Sequence, residues 1–184
     1  MDHKQNKLEN PERLAELSPK ETLMRIGLGE QDIICDIGAG SGIFTVPAAR
    51  ITKNTVFALE TNDEFLEIIK EKAVIEDLPN IITMKVTGDH YDIQPETVDV
   101  VILVTVLHEI EDKNALLTEF KRIMKNNAKL AVIEFHKRQT PMGPPVAHRL
   151  SKEEVAEMCG QFGFVKTGDF DLGENLYCVL LESI

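Results

Sequence analysis

Asp36-Ile37-Gly38-Ala39-Gly40-Ser41-Gly42 sets three glycines at alternate positions, with a carboxylate two residues ahead of the first. Glycine tolerates positive φ and lets a ligand approach the backbone closely. A helix opening just after such a turn can offer its free N–H groups to a negative group such as a carboxylate or phosphate. Two further acids follow at the places where the next strands should end, Glu60 and then Asp89 within Gly88-Asp89-His90. A carboxylate at Glu60 can accept hydrogen bonds from both ribose hydroxyls and would repel a 2′-phosphate. One at Asp89 can accept from an adenine amino group, with His90 lining that pocket through its backbone. Three acids at neighbouring strand tips suit a cationic adenosyl ligand better than an anionic pyrophosphate. The dinucleotide pattern G-x-G-x-x-G also fails here, because position 43 is Ile43 rather than glycine.

A second group of candidates lies downstream. His108-Glu109 follows a nearly continuous apolar run, Val98 to Val106. An imidazole with an ordinary pKa of about 6.5 can take a proton from an acceptor oxygen, nitrogen or carbon; the alternative is a histidine that only bonds its neighbours at a strand end. From Phe135 through Lys152 there is no Asp or Glu, in a chain that has 31 of them. His136, His148 and Arg149 in this stretch are candidates to hold an anionic or enolisable acceptor, against the plainer reading of a solvated loop. The histidines lack the short spacing of metal ligands, so no metal site is expected. His3 is given no role.

These residues need a frame to position them. Asn10-Pro11 and Ser18-Pro19-Lys20-Glu21 read as starts of two helices over 11–17 and 19–27, the second with a capping box. Strands are expected at 32–37, 55–60, 81–86, 98–106 and 129–135. Helices are expected at about 43–52, from a Thr61-x-x-Glu64 capping box, and at about 112–125. A further helix begins at the Ser151-x-x-Glu154 box. The last two strands, 164–172 and 176–183, are separated by Gly173-Glu174-Asn175 alone, too short for a parallel crossover, so they must form an antiparallel hairpin. Strands alternating with helices give an α/β fold with a doubly wound, seven-stranded, mostly parallel sheet ending in that hairpin.

The order of elements and these motifs resemble a class I S-adenosylmethionine-dependent methyltransferase of the small ubiquinone/menaquinone-biosynthesis-like type. The resemblance implies S-adenosylmethionine as cofactor. It assigns donor binding to Asp36, Gly38, Ala39, Gly40, Glu60, Asp89, His90 and Thr105. It also puts the Val104–Glu109 stretch, which contains the candidate base His108, along the methyl-transfer cleft. The cysteines depart from the arsenite methyltransferases, which depend on several near the cleft. The implied reaction is in-line methyl transfer to a small-molecule acceptor. A non-catalytic S-adenosylmethionine-binding or partner-docking protein and, less well, an NAD-dependent oxidoreductase are the alternatives.

Composition bounds the setting. The 184 residues read as one domain, 1–184, with cap helices over 1–29 and a cofactor-binding core over 30–184. Lys and Arg number 20 against 31 acids, a net charge of −11, which disfavours broad nucleic-acid binding because phosphate affinity comes from cationic side chains. Three widely spaced cysteines suggest no disulfide framework, and no apolar run is long enough to span a bilayer. A cytoplasmic protein without membrane insertion is expected, its oligomeric state open.

Overall fold

Both leading helices begin with proline at the first position, where its missing N–H is not needed. In the computed structural model, which describes residues 8–184, helix α1 (Pro11–Leu17) is capped by Asn10, whose Oδ1 accepts from the Glu12 and Arg13 amides at 2.9 and 3.3 Å. His3 lies outside the described residues. Helix α2 (Pro19–Ile26) departs from expectation: Ser18 has φ 37 and makes no cap, so the capping box with Glu21 does not form. Ser18 also has to end α1, and its hydroxyl turns back to donate to the Ala15 carbonyl at 2.8 Å. Gly27 (φ 81) ends α2, with the Leu28 amide reaching back to the Leu23 carbonyl at 3.0 Å, a Schellman-type stop.

The described residues pack as two compact units that divide after Gly88. In the first, β1 (Ile34–Ile37), α3 (Thr45–Ile51), β2 (Val56–Glu60), α4 (Asp63–Ile75) and β3 (Ile81–Lys85) alternate. Their strands lie in the order β3-β2-β1, all parallel, with Asp36 opposite Ala58 and Ala58 opposite Thr83. Ile34, Cys35, Val56, Ala58, Leu59 and Ile69 are fully buried, and each large aliphatic among them contributes roughly 1.5–3 kcal/mol.

Helix α3 starts two residues later than the sequence suggests, because positive φ at Gly42 leaves 43–44 in a turn. The Thr61 capping box is also corrected: the cap of α4 is Asn62, which accepts from the Glu64 amide at 2.9 Å. Thr61 is recruited instead by Glu60, since a charged carboxylate is the stronger acceptor.

The second unit holds β4 (Val98–Val104), α5 (Lys113–Ile123), β5 (Met124–Phe135), α6 (Lys152–Gly160), β6 (Phe164–Leu172) and β7 (Leu176–Ser183). Strands β4 and β5 are parallel, β5 and β7 antiparallel, and β7 pairs with β6 as the expected hairpin, in the order β4-β5-β7-β6. Strand β5 is five residues longer at its start than 129–135: α5 passes into it without a loop, and Asn127 at φ 62 takes up the register shift opposite Val98 and Val100. Strand β4 stops short of 106 because Thr105 turns to φ 58. The Ser151–Glu154 capping box opens α6 with both of its bonds made. The fold class is thus α/β and Rossmann-like, a seven-stranded, mostly parallel sheet with an antiparallel C-terminal hairpin.

Candidate active site

In the first unit, β1 and β2 deliver two carboxylates beside the glycine turn. Asp36 is 2% exposed, and the Thr45 hydroxyl donates to its Oδ2 at 2.6 Å. Burial pushes the Asp36 carboxyl up to about 6; the Thr45 bond opposes that rise and the negative Glu60 adds to it. Glu60 Oε2 accepts from the Gly40 amide at 2.8 Å. Its Oε1 accepts from the amides of Thr61 (2.8 Å) and Asn62 (3.0 Å) and from the Thr61 hydroxyl (3.2 Å). Neither Asp36 nor Glu60 forms an ion pair among the described residues.

The glycine turn is shaped for close approach but not for the job first suggested by its sequence. Gly38, Gly40 and Gly42 all have positive φ. A Cβ on Gly40 would come within 3.0 Å of Leu8, and one on Gly42 within 3.0 Å of Ile69. Yet the amides of Gly38 and Ala39 donate to the Leu59 carbonyl, that of Gly42 to Ala39, and that of Gly40 to Glu60. Those four N–H groups are therefore spent within the protein rather than offered to an anion. Ser41 Oγ, fully buried in the same turn, has no hydrogen-bond partner among the described residues, and Lys72 Nζ bonds the Ser41 carbonyl and Glu9, each at 2.8 Å. An unpaired carboxylate pair, an occupied set of amides and an orphan hydroxyl fit a cationic, hydroxyl-rich nucleoside and not a pyrophosphate.

In the second unit, Asp89 is exposed, and the His90 ring, also exposed, has Nδ1 3.4 Å from Glu119. The segment after them is braced by Glu119, which accepts from the Tyr91 amide, and by Arg122, which donates to the Tyr91 and Ile93 carbonyls. Thr105 bonds the Ile133 carbonyl through its amide at 2.7 Å. Its φ of 58 is a true outlier for a β-branched residue, of the sort that collects at functional sites. Three residues on, His108 stands in a 3-10 turn (Leu107–Glu109) with Nδ1 2.7 Å from Glu134 Oε2. The hydrogen bond to Glu134 raises the His108 pKa above its ordinary value, against the opposing effect of burial. Glu134, buried within β5, went unremarked in the sequence; its one signal is an acid inside Leu130–Phe135, otherwise wholly apolar.

The acid-free segment divides. The Arg149 side chain, 4% exposed, is the clamp of its own loop: it donates to the carbonyls of Pro144, His136, Arg138 and Met142 and to the Thr140 hydroxyl. Its guanidinium is occupied by this backbone, which is what fastens an 18-residue stretch short of regular structure. The His136 ring lies against Tyr177, centroids 5.4 Å apart, with Nε2 3.5 Å from Asp171; burial lowers its pKa. Of the three candidates only His148 stands exposed, as do Arg138 and Lys137, the latter paired with Glu154.

Residues 35–132, more than half of the chain, match the family model described as a methyltransferase domain. The chain belongs to that family. It is a class I S-adenosylmethionine-dependent methyltransferase, similar to those of the ubiquinone/menaquinone-biosynthesis type, with S-adenosylmethionine as its cofactor. A crystal structure of a SAM-dependent methyltransferase from Aquifex aeolicus superimposes with a TM-score of 0.92 at 26% identity, covering 100% of both chains. A geranyl diphosphate methyltransferase in complex with SAM shares the fold, with a TM-score of 0.80 at 13% identity over 96% of this chain and 88% of that one. The ubiquinone/menaquinone biosynthesis C-methyltransferase of Teredinibacter turnerae is 26% identical over 126 residues, 67% of this chain and 51% of that protein. The chain spans about half the length of the curated relatives it matches. Among the described residues no helix is long and apolar enough to cross a membrane.

Proposed function

We propose that residues 1–184 act as one methyltransferase domain that passes a methyl group in line to a small, enolisable acceptor such as a hydroxylated quinol ring. The observation that carries this reading is the Glu60 carboxylate, tied to the Gly40 amide beside buried Asp36, with no cation paired to either among the described residues. S-adenosylmethionine, when bound, supplies an electrophilic methyl on a positively charged sulfur. Glu60 would accept from the ribose hydroxyls, Gly38, Ala39 and Gly40 would admit the ligand against the backbone, and Asp36 would add negative charge near the sulfonium. Asp89 and the His90 backbone are assigned to the adenine edge and Thr105 to the donor by sequence position.

His108 takes the acceptor's proton at Nε2. A displacement of this kind asks little else of a protein beyond alignment and exclusion of water, in keeping with the lack of a nucleophilic triad. The quinol ring is supported by the curated relatives, which are named for ubiquinone and menaquinone C-methylation. Exposed Lys137, Arg138 and His148 suit an acceptor that turns anionic as it loses its proton. A net charge of −11 argues against a nucleic-acid acceptor. Three buried cysteines, widely spaced along the sequence, fit a reducing compartment and with it a cytoplasmic setting.

Calorimetry with S-adenosylmethionine, S-adenosylhomocysteine and NAD, followed by labelled methyl transfer to 1,4-naphthohydroquinone and a wider metabolite panel, tests this. Binding of both adenosyl compounds, no binding of NAD, and label in the acceptor are expected. Donor binding without transfer to any acceptor would leave a binding protein instead, and NAD binding would overturn the donor assignment.

A further inference from the structure

Glu134 spends both carboxylate oxygens on one residue. Oε1 accepts from the His108 backbone amide at 3.1 Å, and Oε2 lies 2.7 Å from the imidazole Nδ1. Its side chain is 1% exposed, between fully buried Ile133 and nearly buried Phe135, whose ring stands edge-on to the imidazole with centroids 6.4 Å apart. A buried carboxylate is expensive to desolvate, and an aliphatic side chain would pack this strand as well. Pinning the backbone of the turn needs one oxygen. The second is spent on the ring.

We propose that Glu134 is a positioning residue that holds the neutral His108 ring with its proton on Nδ1, leaving the lone pair on Nε2. The tautomer follows from the geometry: a carboxylate at hydrogen-bond distance can only accept, so Nδ1 must donate. The other charged or titratable groups around the pair are few. Glu109, 74% exposed, lies 3.7 Å from Nε2; Lys113 sits at the start of α5; and Tyr177 faces Glu134 across the β5–β7 register, its hydroxyl donating to the Leu150 carbonyl. The two carboxylates favour the imidazolium, while burial and Lys113 oppose it. Below the midpoint both nitrogens carry protons and Nε2 accepts nothing; above it Nε2 is open. What Nε2 accepts from rests on the function proposed above, whereas the tautomer does not.

The test is ¹⁵N NMR of the His108 ring through a pH titration, alongside the pH dependence of labelled methyl transfer to 1,4-naphthohydroquinone, in the wild-type protein and in E134Q and E134L. In the wild type the neutral ring should show Nδ1–H and a midpoint above that of an ordinary histidine. E134Q removes the charge but keeps an acceptor, and its midpoint should fall by about 1 pH unit. The rising limb of the rate profile should move with it, and kcat should drop with KM little changed. E134L, if folded, should release the ring to a mixture of tautomers. A wild-type ring protonated on Nε2, or an E134Q midpoint and rate limb that both stay put, overturns the proposal. A titration that moves while the rate profile does not overturns the catalytic half. If the wild type methylates no acceptor, the proposed function fails, and the tautomer measurement still decides the role of Glu134.

Discussion

Glu60 accepts the Gly40 amide across 20 residues of sequence at 2.8 Å, so one carboxylate both closes the glycine turn and marks the tip of β2. The same group gathers the amides of Thr61 and Asn62 at the start of α4. With Glu60 also accepting from the ribose hydroxyls as proposed, Glu60→Ala should weaken S-adenosylmethionine binding by about 1–3 kcal/mol, the usual cost of leaving hydrogen-bond donors unmet, and Glu60→Gln should weaken it less. Calorimetry reads both; an unchanged dissociation constant in the alanine variant would remove Glu60 from the donor site.

Asp36 predicts a pH dependence with a definite sign. Its folded carboxyl titrates at about 6 rather than 3.8, so the folded state holds a proton that the unfolded chain has released. Stability from this group is complete below about pH 4, falls as pH rises from about 4 to 6, and is constant above. The loss is on the order of 2–3 kcal/mol. Asp36→Asn, which keeps an acceptor for the Thr45 hydroxyl, should therefore exceed the wild type in stability by a margin that grows over that window. The same variant should bind S-adenosylmethionine less well while hardly changing its affinity for S-adenosylhomocysteine, whose sulfur is uncharged. Urea titrations at pH 4 and pH 7 that show the same difference between the two proteins would refute the assignment.

Arg149 stood out in the sequence as a cation in an acid-free stretch, and the structure turns its role inward. Its fork reaches four carbonyls and a hydroxyl of the same loop, a geometry that a lysine ammonium cannot reproduce. Arg149→Lys should lower the melting temperature, and Arg149→Ala should cost about 3 kcal/mol or more by leaving several buried acceptors unmet. Gly143→Ala should act at the same place, since at φ +113 its Cβ would meet the Phe135 ring at 2.7 Å and the Arg149 guanidinium at 3.0 Å. Hydrogen exchange in 136–150 should rise in all three variants with donor affinity intact. A raised KM for the acceptor with exchange unchanged would restore the substrate-binding reading.

The parts legible in the sequence were those written by period and punctuation. The buried β4 run, the glycine turn, the Ser151 capping box and the three-residue link of the hairpin each state their local structure through residue types. Competition between neighbours was not legible. Thr61 has the right spacing to cap α4, but Glu60 takes its hydroxyl and amide; Ser18 has the right type to cap α2, but ending α1 uses it first. The glycine amides read as free donors because nothing in the sequence shows that Leu59 and Glu60 already accept from them. Glu134 was hidden for the converse reason, as a lone acid in an apolar strand has no visible partner until His108 is brought over it.

Thr105 carries the last prediction. At φ 58 a β-branched residue is strained by roughly 1 kcal/mol or more, and its own amide donates to the Ile133 carbonyl at 2.7 Å, so the strand ladder holds the strain in place. Glycine adopts that conformation freely. Thr105→Gly should therefore raise stability by about 1 kcal/mol, offset in part by the greater freedom of the unfolded chain. If the bend serves to aim His108, three residues on, relief of strain should come with slower methyl transfer and an unchanged donor dissociation constant. Denaturant unfolding and single-turnover kinetics on the same variant separate the two effects. A variant both more stable and fully active would make the strained turn a local accident of packing, whereas one less stable than the wild type would mean that the Thr105 side chain contributes more than its backbone costs.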